Sequence, residues 1–181
     1  MRRLLLFIGF MTLGTLLIYV FTVQEGPVDD VELPLDLPRN QMRLGDVVVE
    51  EQDGGVVAYR LWAREAAHRE QSQLTLLTDV RIVIYPRPDA PPDEPAITGT
   101  ADKAVLNGRE QLLLMDENVV IHRGTDTTLR SERVVYRHKT RQVIAPRRFW
   151  LQDKSTTHTG VRMDYDLDSQ RVSIASPLLQ Q

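Results

Sequence analysis

The chain contains no cysteine, which excludes a disulfide framework, a thiolate metal site and a cysteine nucleophile. An excess of positive charge is also missing. The formal net charge is −3, and beyond residue 23 the chain holds 20 basic and 25 acidic residues, a balance of −5. A general nucleic-acid binder leans the other way, because neutralising phosphates takes surplus Lys and Arg. There is no G-x-S-x-G, no Gly-rich phosphate loop and no H-E-x-x-H. The histidines His68, His122, His138 and His158 are scattered without ligand spacing and read as solvated or hydrogen-bonded side chains. Asp164 and Asp166 alternate with Met163 and Tyr165, so they belong to a solvated strand face and not to an acid–base pair. No catalytic residue, cofactor or metal site is expected, and the chain reads as a binding module rather than an enzyme.

What the sequence does have begins with Leu4 to Val23, an uncharged apolar run long enough, at about 1.5 Å per helical residue, to cross a hydrocarbon core of about 30 Å. Arg2 and Arg3 precede it, and Glu25, Asp29, Asp30 and Glu32 follow. This asymmetry keeps the N-terminus in the cytoplasm and puts the remainder outside the membrane. A cleaved secretory signal fits less well, because the run is long and Phe21 to Gly26 offers no small-x-small site. Residues 24–44, with Pro27, Pro34 and Pro38, read as an extended linker. Residues 45–176 read as one domain and 177–181 as a short tail.

Within the domain, Tyr59 to Arg64, Val80 to Tyr85, Arg133 to Arg137 and Gln170 to Ile174 alternate polar and apolar side chains with period two, the signature of half-buried strands. Asp53-Gly54-Gly55, Asn107-Gly108, Arg123-Gly124-Thr125-Asp126 and Asp166-Leu167-Asp168 supply turn chemistry. Ala63 to Gln73 is rich in helix formers, but propensity is a weak prior. An internal repeat argues instead for a strand pair turning near His68 to Ser72. Ala101-Asp-Lys-Ala-Val-Leu-Asn aligns with Ser131-Glu-Arg-Val-Val-Tyr-Arg and, more loosely, with Gly160-Val-Arg-Met-Asp-Tyr-Asp and Ala63-Arg-Glu-Ala-Ala-His-Arg. Each copy is followed by an apolar run: Leu112 to Met115, Val143 to Ile144, Val172 to Ile174 and Leu74 to Leu77. The spacing from the Ala63 copy to the Ala101 copy is longer because it holds the loop Pro86 to Pro95.

Units of roughly 30 residues made only of strands cannot bury an apolar face alone, so they must stack into one elongated sheet structure. The inward face is expected to carry Tyr59, Leu61, Ala63, Val80, Ile82, Ile84, Ala104, Leu106, Val119, Ile121, Val134, Tyr136, Phe149, Leu151, Met163, Tyr165, Val172 and Ile174. The terminal strands would be unpaired edges open to a further strand.

The apolar N-terminal run, the linker, Gly55 followed by Tyr59-Arg60-Leu61-Trp62-Ala63, the Ala101 block and the closing Thr159-Gly160-Val-Arg-Met-Asp-Tyr-Asp together resemble the LptC family of the lipopolysaccharide export system. The resemblance covers nearly the whole chain. It implies an all-β fold, an elongated twisted β-jellyroll of repeated antiparallel strands behind one N-terminal transmembrane helix, in the cell inner membrane with the domain in the periplasm. It also implies a lipopolysaccharide-binding adaptor that takes lipid from the inner-membrane ABC transporter complex and passes it to an LptA-like bridge protein of the same fold. On that reading Tyr59, Leu61, Leu77, Ile82, Ile84, Leu106, Ile121, Tyr136, Phe149 and Tyr165 are groove candidates, and Gly55, Gly160 and Met163 are partner-binding candidates. The two glycines would otherwise be turn or bulge residues needing positive φ. Arg133, Arg137, Lys139, Arg141, Arg147 and Arg148, in a segment from Arg133 to Arg148 without a single acid, read either as a basic rim for lipid A phosphates or an acidic partner or as ordinary solvent-facing charge. The competing reading is a membrane-anchored β scaffold whose interior is plain core and binds no lipid.

Overall fold

The computed structural model describes residues 42–69 and 73–175; the expected membrane span, most of the linker and the tail lie outside the described residues. Among the described residues there is no helix, and eleven strands form one antiparallel sheet. They are β1 (Met42–Asp53), β2 (Val56–Arg69), β3 (Leu74–Ile84), β4 (Ile97–Asn107), β5 (Leu112–Arg123), β6 (Thr127–Arg137), β7 (Gln142–Ala145), β8 (Phe149–Asp153), β9 (Thr156–Gly160), β10 (Arg162–Asp166) and β11 (Arg171–Ala175). The all-β jellyroll expectation agrees with this architecture. Ala63 to Arg69 is strand despite its helix formers, because pairing with both β1 and β3 and burial of Ala63, Ala66 and Ala67 outweigh propensity.

The order runs β1-β2-β3-β4-β5-β6, after which the second half of β6 pairs with β7 and its first half with β8. From there β7-β10-β11 and β8-β9 diverge as two separate extensions. The repeat is thereby explained, since its copies open β2-β3, β4-β5, β6-β7 and β10-β11. The charged pair of three of the copies, Arg64-Glu65, Asp102-Lys103 and Glu132-Arg133, marks a break in the ladder. Pairing skips Asp46 opposite Arg64, Arg64 opposite Asp79, the segment between Thr100 and Lys103, and the segment between Asp116 and Val119. Asp46, Asp79, Glu117 and Asn118 all have φ between 48° and 64°, a left-handed conformation that Asp and Asn tolerate better than other residues bearing a Cβ. The shifts between Thr100 and Lys103 and between Asp116 and Val119 are bulges that bend β4, β5 and β6. The interruptions at Asp46, Arg64 and Asp79 keep register, and together these breaks draw a crease across the sheet.

The crease folds the sheet onto itself. Tyr59 of β2 and Tyr136 of β6 are four strands apart, about 19 Å at the usual strand spacing, yet their rings meet edge-on at 6.0 Å. The two halves must therefore face each other as the walls of a trough. One wall holds the Tyr59 half of β2, with β8 and β9; the other holds the Tyr136 half of β6, with β7, β10 and β11. Gly99 on the first wall leaves room for Met115 of the second, whose Cε lies 3.6 Å from where a Cβ would stand. Ion pairs line the outside of the crease: Arg64 with Asp79 at 2.7 Å, Lys103 with Glu117 at 2.7 Å and the better buried Arg133 with Asp116 at 2.9 Å.

The core runs between the walls and includes Leu61, Leu77, Ile82, Leu113, Met115, Val134 and Tyr136. Most residues expected on the inward face are buried there. Val172 and Ile174 depart from that expectation, being 47% and 39% exposed. Alternation directs them inward correctly, but at the end of the trough too little of the opposite wall remains to cover them.

Candidate functional site

The space between the walls opens toward the C-terminal strands into a cavity of about 400 Å³. Ile97, Ile121, Leu129 and Leu151 contribute from one wall and Val143, Met163, Val172 and Ile174 from the other. A volume of this order is at the lower end for organic ligands, about 300–1,000 Å³. An apolar cavity flanked by two exposed aliphatic residues loses contact with water favourably when a hydrocarbon enters, at about 0.8 kcal/mol per methylene.

The groove candidates divide into two groups. Ile121 and Tyr165 line the cavity. Tyr59, Leu61, Leu77, Ile82, Ile84 and Tyr136 are packed against one another in the core, with Leu106 partly buried beside them. Phe149 is also buried, where its ring covers Gly160. Ile97, Leu129, Val143, Leu151 and Arg123 line the cavity without having been singled out. Leu151, at least, was legible as inward-facing from strand period alone.

The partner-binding candidates also separate. Gly55 has φ +83° in the exposed β1-β2 turn, with open space where a Cβ would be, so it meets the expectation of a turn glycine. Gly160 is not a positive-φ glycine. It is buried in the ladder opposite Phe149, and a Cβ there would stand 2.7 Å from Phe149 Cε1 and 2.9 Å from the carbonyl oxygen of Ala175. Crowding, not backbone conformation, demands glycine. Met163 is buried and faces the cavity, not an outer edge.

At one end of the cavity Arg123 donates from Nη1 to the Tyr165 hydroxyl at 2.6 Å and lies over the same ring at 5.8 Å. Its Nη2 stands 3.6 Å from Glu94 of the proline-rich loop. Burial raises the Tyr165 pKa, with Arg123 opposing the shift. The loop crosses from the first wall to the second: Arg87 pairs with Asp168 at 2.9 Å, Arg141 pairs with the same carboxylate at 2.9 Å and Arg141 also donates to the Tyr85 carbonyl at 3.4 Å. Deeper in the core, burial pushes the hydroxyls of Tyr59 and Tyr136 up to about 12.

The basic run from Arg133 to Arg148 does not make one rim. The β6-β7 hairpin sends Arg133 to the crease, where Asp116 neutralises it, and Arg141 to the opposite rim, where Asp168 does. The histidines are spread as expected: His68 and His122 bond Thr75 and Thr128, His138 packs on Tyr59, and His158 borders the cavity. Asp164 pairs with Arg162, and Asp166 accepts from the backbone of Asp168 and Ser169. Among the described residues no group of His, Cys, Asp and Glu is arranged to hold a metal ion.

The family model for lipopolysaccharide-assembly, LptC-related proteins matches residues 41–177. No curated protein matches the sequence significantly.

Proposed function

The chain belongs to the LptC-related lipopolysaccharide-assembly family, a transport component of lipopolysaccharide export, and from that premise we propose that it is a lipid-binding adaptor of the export machine. Lipopolysaccharide arrives from an inner-membrane ABC transporter complex, rests its acyl chains between the two walls and leaves toward a periplasmic bridge protein of similar fold. The observation that carries this reading is the apolar cavity of about 400 Å³ at the C-terminal end of the trough. Its lining is mostly apolar, with Arg123, Thr127, Asp153, His158 and Gln170 as the polar members, and Val172 and Ile174 extend it to an exposed strand. Chains can leave such a site along the exposed Val172 and Ile174. ATP hydrolysis in the transporter provides the net direction, so the adaptor needs no chemistry of its own.

Strand β11 supports the hand-over. It is exposed along its whole length and among the described residues is paired only with β10, leaving a row of backbone donors and acceptors ready to receive a further strand. A bridge protein with the same creased sheet would continue both walls. Leu4 to Val23 would tether the domain to the inner membrane, with residues 24–44 as the spacer. A second reading, an envelope scaffold without lipid, draws on the close packing of Tyr59, Leu61, Leu77 and Tyr136, which leaves the N-terminal part of the trough without comparable space.

Photo-crosslinking in cells separates the two. Probes at Ile121, Leu129 and Val172, with outer-face controls at Arg81 and Arg137, should give lipopolysaccharide adducts at the cavity positions alone. A folded protein without adducts at any cavity position would establish the scaffold.

A further inference from the structure

The loop Pro86 to Pro95 is too well tied to be a passive connection. It leaves β3 on the first wall and is fastened to the β6-β7 and β10-β11 turns of the second by Arg87, Asp168 and Arg141. Its own backbone is turned at Ala90 N to Arg87 O and at Glu94 N to Pro91 O. Pro95 packs over Gly124, with its ring carbons 3.5 Å from where a Cβ would stand. The loop thus forms a strap over the side of the trough, beside the open cavity.

The strap's contacts differ in quality. Arg87 and Arg141 hold Asp168 at 2.9 Å, whereas Glu94 reaches Arg123 at 3.6 Å through one oxygen. Arg123 is the residue shared by strap and cavity, and its other arm is braced by Tyr165. Asp153, also at the cavity border, is engaged by the hydroxyl of Thr127 at 2.7 Å. A guanidinium with one loosely held carboxylate, fixed at the mouth of an apolar cavity, suits an amphiphile with an anionic head. A phosphate accepts two parallel N–H bonds where Glu94 takes a single long contact.

We infer that Arg123 is a phosphate-binding position for an acylated, phosphorylated amphiphile, and that Glu94 occupies it as an exchangeable latch until such a lipid enters the cavity. Displacing Glu94 frees that end of the strap, while the Asp168 attachments hold the other. The side of the trough then loosens only when hydrocarbon and phosphate arrive together. This inference rests on the lipid-binding reading and adds to it a head-group contact and a condition for opening.

The test uses the full chain in mild detergent and three probes: hexa-acyl lipid A with its two phosphates, the same lipid without phosphates, and dioleoyl phosphatidylglycerol. Glu94→Gln removes the competing carboxylate and should tighten binding of lipid A by about two- to fivefold, the range for a partly exposed ion pair, with no gain for the dephosphorylated lipid. Arg123→Gln should remove the preference for the phosphorylated form, which we expect to be at least about tenfold in the parent chain. Hydrogen exchange at the Glu94 amide should speed up with lipid A and not with the dephosphorylated lipid. Tight competition by phosphatidylglycerol would mark the position as one for any acylated phosphate, and its failure to compete would restrict it to lipid A. If the parent chain binds lipid while Glu94→Gln changes neither affinity nor selectivity and the Glu94 amide stays protected, the latch is wrong and the cavity stands. If no variant binds any of the lipids, both readings fall.

Discussion

Gly160→Ala introduces a single methyl group at the most crowded glycine of the described sheet. The new Cβ would stand 2.7 Å from Phe149 Cε1, 3.0 Å from Phe149 Cζ and 2.9 Å from the Ala175 carbonyl oxygen. Separations below 3.0 Å force something to move. Phe149 is 2% exposed and has little freedom, whereas β11 is exposed throughout. The strain should therefore fall on the end of β11, where Val161 N donates to Ala175 O at 3.1 Å. Overpacking costs about 1–3 kcal/mol, and losing that backbone bond accounts for about 0.5–1.5 kcal/mol of it. We expect a net loss of about 2 kcal/mol and a fall in Tm of roughly 4–8 °C, the scale for a domain of about 150 residues. Exchange at the Val161 amide should rise beyond the global change. Phe149→Leu removes both clashing ring carbons, so the double variant should cost about 1 kcal/mol less than the two singles added together. Additivity within error, or an unchanged Val161 amide, would refute the packing argument. Gly160→Arg enlarges the same insult and should also weaken docking of a strand on β11.

Arg133→Ala, which strands Asp116 at the crease where both side chains are about 11–12% exposed, should cost about 3–5 kcal/mol in chemical denaturation. Arg64→Ala, at the exposed pair with Asp79, should cost at most about 1 kcal/mol in the same assay. Tyr59 and Tyr136, with folded pKa values pushed up to about 12 from 10.0, keep their protons longer in the folded chain than in the unfolded one. The stability this provides is complete below pH 10 and lost as pH rises from about 10 to 12, so their 295 nm ionisation should coincide with alkaline unfolding and lie above that of an exposed tyrosine. Leu129→Glu, which places a carboxylate in the cavity, should abolish lipid adducts at Ile121 while far-ultraviolet dichroism keeps its β signature.

The repeat and the strand alternation were legible because pairing and burial act on every second residue. The crease was not. Bends usually announce themselves by glycine, and here they fall on Asp46, Asp79, Glu117 and Asn118, whose charges read simply as solvent-facing. The site was legible only in part, for a related reason. Period two correctly turned Ile121, Tyr165, Val172 and Ile174 inward, but it does not say what stands across from them. Tyr59 and Tyr136 meet each other and make core, while Val172 and Ile174 meet open space. Arg123, in a turn tetrapeptide, gave no sign that Tyr165 and Glu94 would converge on it.

Because each long strand contributes to both walls, one hairpin carries the cross-section of the whole trough. Adding a β4-β5 unit by duplication would lengthen the passage by two strand spacings, about 9.6 Å, and leave its width alone, since width is set by where the bend falls within a strand. Length and gauge are therefore inherited separately. A lineage can adjust the length of the trough by copying a segment of gene, and its width by shifting the breaks along the strands.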